Sequence, residues 1–255
     1  MKNILLICQK ELKSYFASPI AYLLMAFFGL IFGTTFYNAT KEMVRFSFQS
    51  QMMGQQQPMN VNDMIIRPLL GFASTITLFL IPMITMRLIA EEKRNGTIEL
   101  LMTSPVKDIE IIIGKWLGGM LLYLCVLGMS MINVAMLFIW GKPDIKPLLV
   151  GYLGLILQGG TLLAIGTFIS ATTRNQIIAG GVTFFVCLFL WLLSWYTSYE
   201  TSVPYQVLNY ISIVPHMENF TKGVLDTKDV IFYCSMIFFA LFMTSRAMES
   251  LRWRS

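Results

Sequence analysis

Charge is scarce in this chain. Of its 255 residues only 13% are Asp, Glu, Lys or Arg, about half the share of a soluble domain. Hydrophobic residues make up 56%, and the mean hydropathy is +0.65. That balance describes a lipid-embedded protein. Histidine is scarcer still, with His216 alone. A single histidine excludes HExxH and any histidine cluster at metal-ligand spacing. A Ser–His pair would have to use His216, and the sequence offers it no partner. The four cysteines, Cys8, Cys125, Cys187 and Cys234, have no CxxC spacing. They read as packing residues, with neither a disulfide framework nor a zinc site. GxxxxGK[ST] is missing too: Trp116 follows Gly114-Lys115, and Pro143 follows Gly141-Lys142. If ATP drives this protein, another chain binds it. The start, MKNILLICQKELKSYF, has only a short apolar patch and no small-residue cleavage site, so no signal peptide is expected. The pI near 9.0 reports membrane orientation rather than nucleic-acid binding.

What is abundant is long uncharged sequence. About 20 apolar residues cross the hydrocarbon core. Five windows qualify: Ile20–Tyr37, Pro68–Met86, Trp116–Gly141, Pro147–Thr173 and Asn175–Tyr199. A sixth, Val230–Ser245, is short, but Lys228 and Arg246 can snorkel at its ends. No ionisable Asp, Glu, Lys, Arg or His falls inside these windows, which counts against an ion-coupled transporter. Thr201–Met217 is also uncharged, but Pro204 and Pro215 break it. Two short helices that enter the membrane and return are expected across residues 201–227. With six crossings and the N-terminus inside, twelve of the 19 Lys and Arg lie on the cytoplasmic side and seven on the other. That asymmetry places both termini in the cytoplasm.

The ends and loops carry further signals. Leu5, Cys8, Leu12 and Tyr15/Phe16 recur at helical spacing, so residues 1–18 read as an amphipathic helix on the inner membrane surface before Pro19. A cytoplasmic extension of the first span fits nearly as well. Residues 39–67 form a Gln- and Met-rich outer loop. Its thioethers are soft metal ligands, but their spacing is irregular and no Cys or His lies near, so no metal site is expected.

The scarce charge concentrates at one place. Arg87, Glu91, Glu92, Lys93, Arg94 and Glu99 fall within thirteen positions of a cytoplasmic segment, residues 87–115. Strong helix formers should carry the second span on through LIAEEKR. Asn95-Gly96 then supplies a helix stop. Thr97 can cap a short helix, Ile98–Met102, with Glu99 near its positive end. Thr103-Ser104-Pro105 ends it, and Asp108 can cap the next helix. Helix, break, transverse helix, break, helix is the shape of a knob that docks into a partner. Its apolar side would be Ile98, Leu101 and Met102.

The stretch RLIAEEKRNGTIELLMTSPVKDIEIIIGKW closely resembles the segment between the second and third spans of ABC-2 type ABC transporter permeases. The shared elements are Glu91-Glu92-Lys93, Gly96-Thr97, Glu99-Leu100-Leu101, Pro105 and Gly114-Lys115. The resemblance covers nearly the whole chain, and GVLDTKDVIFYCSMIFFALFMTSRAMESLRW resembles the end of the gliding-motility-associated permeases. The Gln/Met-rich loop matches no pattern of the family. The resemblance implies a single all-α permease domain over residues 1–255, like that of type V exporters: six transmembrane helices, an interfacial helix, a coupling helix and an outer re-entrant segment. It implies a multi-pass protein of the bacterial cytoplasmic (inner) membrane, with no catalytic site of its own, that exports its substrate. Two ATPase subunits, carrying ATP and Mg, would bind a pair of permease chains, identical or different. For the gliding type an auxiliary membrane subunit with a large outer domain is implied as well. Glu91, Glu92, Lys93, Arg94, Gly96, Thr97, Ile98, Glu99, Leu100, Leu101 and Pro105 would form the ATPase-coupling element. Arg174 and Asn175 would be a second, smaller contact. Pro204, Tyr210, Pro215 and His216 would belong to an outer gate. A second reading stays open, a non-transporting membrane scaffold of a motility or secretion assembly, and a secondary transporter ranks third.

The topology is directly testable. Tags after residue 255 and near Asn95 are expected in the cytoplasm and a tag near Gly54 outside. An impermeant-label map that separates 95 from 255 would end the six-span reading.

Overall fold

A computed structural model describes residues 2–53, 60–103, 106–140, 143–197 and 203–252. Among these residues every regular element is a helix and there is no strand. The order is α1 (Lys2–Ala17), α2 (Pro19–Met52), a π-helical turn (Asn62–Ile66), α3 (Arg67–Thr85), α4 (Ala90–Arg94), α5 (Ile98–Thr103), α6 (Asp108–Trp140), α7 (Ile145–Thr172), α8 (Gln176–Thr197), α9 (Val203–Ile211), α10 (Ile213–Thr221) and α11 (Thr227–Arg252). Six helical stretches are long and apolar enough to cross a membrane. They are built on α2, on α3 with its flanking turns, and on α6, α7, α8 and α11. Helices are the expected solution, because lipid offers backbone amides no partner.

Two helices form the centre. Two-thirds of the apolar windows of α3 and α7 are buried, against 22% for α2 and α11. The exposed flanks of the outer helices carry residues such as Leu30, Phe185 and Phe238, as a lipid-facing surface does. Between α3, α6 and α7 the buried polar groups mostly pair. The Tyr123 hydroxyl lies 3.0 Å from Thr77 Oγ1 and 3.1 Å from the Leu155 carbonyl. Ser130 and Tyr152 meet at 2.7 Å, and Trp116 Nε1 donates to the Gly160 carbonyl at 3.0 Å. Such bonds join helices where no hydrophobic difference from lipid can. Gln158 Oε1 is buried without a protein partner.

Three boundaries differ from those expected. First, α2 stays helical through Met52, so most of the loop expected over residues 39–67 is helix. Gln, Met, Glu and Lys are polar or flexible yet good helix formers, and Thr40 and Ser50 hydroxyls bond back to the Phe36 and Phe46 carbonyls. At 1.5 Å per residue, the 34 residues of α2 span about 51 Å, well beyond a hydrocarbon core of about 30 Å. Second, the helix expected to run through LIAEEKR breaks after Thr85 and resumes at Ala90. Third, Asp108 does not precede α6 but begins it. The Glu110 carboxylate reaches back to the Lys107 amide at 3.4 Å, the reciprocal half of a capping box.

The first helix is a separate element. Ser18 caps α2 and Pro19 starts it, so the chain turns there as the sequence suggests. Helix α1 then crosses α6 closely. A Cβ at Gly118 would lie 2.7 Å from Glu11 Cβ, and one at Gly114 would lie 2.8 Å from Ile7 Cβ. The Gly114–Gly118 spacing clears one face of α6 for α1. The buried positions of α1 are Cys8, Glu11 and Tyr15, whereas Leu5 is exposed. The expected apolar stripe is therefore rotated, with a glutamate at its centre. Gly118→Leu should overpack this crossing and cost about 1–3 kcal/mol, read as a lower melting temperature in detergent. Gly128 faces open space, so Gly128→Ala is the matched control. Equal melting temperatures for the two would deny that the close approach constrains the pair.

Candidate coupling site

The break between α3 and α4 leaves backbone amides without helical partners. The Ser170 hydroxyl, near the end of α7, accepts both the Ile89 amide at 3.1 Å and the Ala90 amide at 2.9 Å. One side chain on a central helix therefore caps the start of α4, as N-cap residues do within a chain. Lys93 then reaches from α4 to the Ala171 carbonyl at the same end of α7. A cation there faces the negative end of the helix. The two contacts fasten α4 to α7.

The end of α4 follows the sequence closely. Gly96 adopts φ +71°, the left-handed conformation that glycine takes at low cost. The Thr97 amide bonds the Glu92 carbonyl at 3.0 Å and the Gly96 amide the Lys93 carbonyl at 3.4 Å. This pair of bonds is a Schellman motif, and it redirects the chain into α5. The Thr97 hydroxyl donates to the Glu92 carbonyl at 3.4 Å. Ile98 is half-buried and packs on the core, whereas Leu100 is 74% exposed and Glu99 is exposed. Of the apolar side expected from Ile98, Leu101 and Met102, Ile98 turns inward and anchors α5, Leu100 faces out, and the side chain of Met102 lies outside the described residues. Pro105 and the side chain of Leu101 lie outside the described residues.

Beneath α5 lies a cleft of about 400 Å³ lined by Lys10, Glu11, Arg87, Glu91, Glu92 and Lys115, with Thr97 and Leu100 completing the wall. Its floor is an ion cluster. Lys115 Nζ sits 2.7 Å from Glu11 Oε1 and 2.9 Å from Glu92 Oε1, with its side chain 2% exposed. Lys10 reaches the same Glu92 oxygen at 3.3 Å, and Glu92 Oε2 has no protein partner. Arg87 pairs with Glu91 through two nitrogens and with Ser18 Oγ at 3.3 Å. The Tyr15 hydroxyl donates to the Ile84 carbonyl at 2.8 Å, and burial pushes its pKa far up, so it stays a donor. Asn3 bonds Glu110 at 3.1 Å. Helix α1 is thereby tied to α3, α4 and α6 at once.

The other expected positions divide. Asn175 Oδ1 accepts the Ile177 amide at 2.9 Å, which makes Asn175 the cap of α8. Arg174 is exposed in the same turn and close enough to Lys93 to repel it. The structure thus gathers the two expected contacts at one end. At the opposite end of α3, the stretch expected to be re-entrant forms α9 and α10, and α10 packs on α7, α3 and α8. Pro204 is exposed in the first turn of α9 and Pro215 is half-buried in α10. His216 is not an unpaired loop residue. It is 5% exposed, with Nδ1 2.6 Å from Asp229 Oδ1 and Tyr210 packed edge-on. The pairing was missed because α11 begins at Thr227, earlier than the uncharged window, and so takes in Asp229. Ser170 carried no sequence signal, being one hydroxyl among many. Glu11 and Lys115 had one, as opposite charges on segments due to meet at the same membrane face.

These helices define a multi-pass helical membrane protein in which the short helix α4 is bonded to the central helix α7 and leads into α5. A family profile described as ABC-2 family transporter protein matches residues 5–246, and the chain belongs to that family. It is thus a permease component of an ABC transporter, a membrane subunit of a non-catalytic kind that pairs with an ABC ATPase subunit. The match does not extend to the gliding-motility subfamily. No curated protein gives a significant match to the chain.

Breaking a buried ion pair from one side costs about 3–5 kcal/mol. Lys115→Met should therefore lower the melting temperature and expose α1 to protease, because buried Glu11 loses its ion partner and Glu92 keeps only the exposed Lys10. A variant with the parent's melting temperature and the parent's cleavage pattern would show that the cluster holds nothing.

Proposed function

We propose that this permease exports its substrate across the bacterial inner membrane, with α5 as the coupling helix seated in a groove of the ATPase. Two such chains pair, and two ATPase subunits carrying ATP and Mg bind beneath them. Both termini and α4–α5 face the cytoplasm, and α9–α10 form part of the outer gate. The observation that carries this reading is the fastening of α4 to α7 through Ser170 and Lys93. A docking helix can drive a transport path only if its movement reaches the central helices. Here α4, which leads directly into α5, is bonded to one of the two that form the centre. ATP binding favours one arrangement of the ATPase pair, α5 moves with it, and α4 passes the displacement to α7. The α1 clamp makes α4 and the start of α6 move as one body. Leu100, Glu99 and Arg94 supply the exposed docking face, and Arg174 the smaller contact.

Leu100→Asp tests the docking. An exposed apolar anchor at an interface contributes about 2 kcal/mol or more, so the ATPase should co-purify at least about 30-fold less well while the permease still inserts. Ser170→Ala tests the transmission: the ATPase should stay bound, but its turnover should no longer respond to the permease. Unchanged binding and turnover in both would refute the coupling role and favour the scaffold reading.

A further inference from the structure

We propose that His216 and Asp229 hold one proton between them, and that this proton latches α9 and α10 onto α11. The proton count follows from the partners. His216 Nε2 lies 2.8 Å from the Tyr210 carbonyl. A carbonyl only accepts, so Nε2 carries a hydrogen. Nδ1 lies 2.6 Å from Asp229 Oδ1, and the other carboxylate oxygen accepts the Asn219 amide at 2.8 Å. At 2.6 Å a hydrogen must lie between Nδ1 and Oδ1, because two lone pairs would repel there. The pair is an imidazolium beside a carboxylate, or a neutral ring beside a carboxylic acid. Either way it holds one proton more than a neutral ring beside a carboxylate.

The site is enclosed. The two side chains are 6% and 3% exposed, and Phe232 stacks on the ring with centroids 4.0 Å apart. Tyr210 of α9 and Tyr233 of α11 stand edge-on at 5.1 and 6.1 Å. The charges around it are mostly spoken for. Lys228 of α11 pairs with Asp226 at 3.0 Å. Glu218 of α10 is held by Lys222 at 2.6 Å and by Arg67 of α3 at 3.5 Å. Among the described residues, α7 and α8 make no ion pair with the two groups; α8 gives the Leu190 carbonyl to Ser212.

When the proton leaves to solvent, a lone pair faces a carboxylate between two enclosed side chains, which is costly. The relief is separation of α10 from α11. The latched state therefore binds more protons than the released state, so low pH favours latching and rising pH favours release. Release would loosen α10 from α11 at the outer end, while α10 keeps its packing on α7, α3 and α8.

The lone histidine makes this measurable. In the full chain in lipid vesicles, isotope-labelled histidine gives one imidazole signal, and hydrogen exchange follows the α9–α10 amides. As the pH is raised from about 6 to about 9, exchange corrected for its intrinsic rate should rise about tenfold or more, in step with the histidine signal. In Asp229→Asn the new amide can donate to a neutral Nδ1 with no added proton. That variant should keep α9–α10 protected and flat across the range. A flat profile in the unmodified chain, or an equal pH response in Asp229→Asn, overturns the latch. If that variant does not fold, exchange that fails to follow the histidine titration in the unmodified chain overturns it equally.

Discussion

One hydroxyl fixes where α3 ends and α4 begins. Ser170 accepts two backbone amides from the break between α3 and α4. Lipid tolerates a broken helix only where protein satisfies the freed groups. That constraint decides where the chain can leave the path of α3, and so where α4 starts, how α5 is aimed and which central helix feels it. Without such an acceptor, the strong helix formers after Met86 would continue the helix. The local preference for helix lost to a tertiary hydrogen bond.

The second support is ionic. Lys115 stands between Glu11 and Glu92, with Lys10 on the same glutamate. Such a cluster is a poor source of net stability, since its desolvation offsets much of the attraction. Its value is registry. Apolar packing of α1 along α6 would tolerate sliding, whereas a buried lysine with two carboxylates fixes one position. The bare surfaces of Gly114 and Gly118 allow the close crossing, and the ions select its register. The outer end uses the same logic on a smaller scale, where His216 and Asp229 join α10 to α11.

Much of this was legible. Six spans, the Gly96 helix stop, the short helix after it and the pair of short helices near Pro204 and Pro215 all follow from hydropathy and turn chemistry. So does the family resemblance, carried by the charged segment. What misled was polarity used in place of propensity. The Gln- and Met-rich stretch after Tyr37 looked like loop, yet its residues favour helix and α2 runs on. Uncharged windows likewise set helix ends too narrowly, which hid Asp229 from His216.

The sequence by itself determined the six apolar spans and the site of the turn after Arg94. Those features depend on residues near one another in the chain, through hydrogen bonds three to five residues apart and the length of apolar runs. Tertiary structure alone decided that Ser170 caps α4, that Glu11 rather than Leu5 is buried and that Ile98 faces in while Leu100 faces out. It also decided that the single histidine has a carboxylate partner. Each of these joins residues 13 to 104 positions apart or turns on which face of a helix another helix covers. Local periodicity carries no term for that choice; it is made by packing between helices.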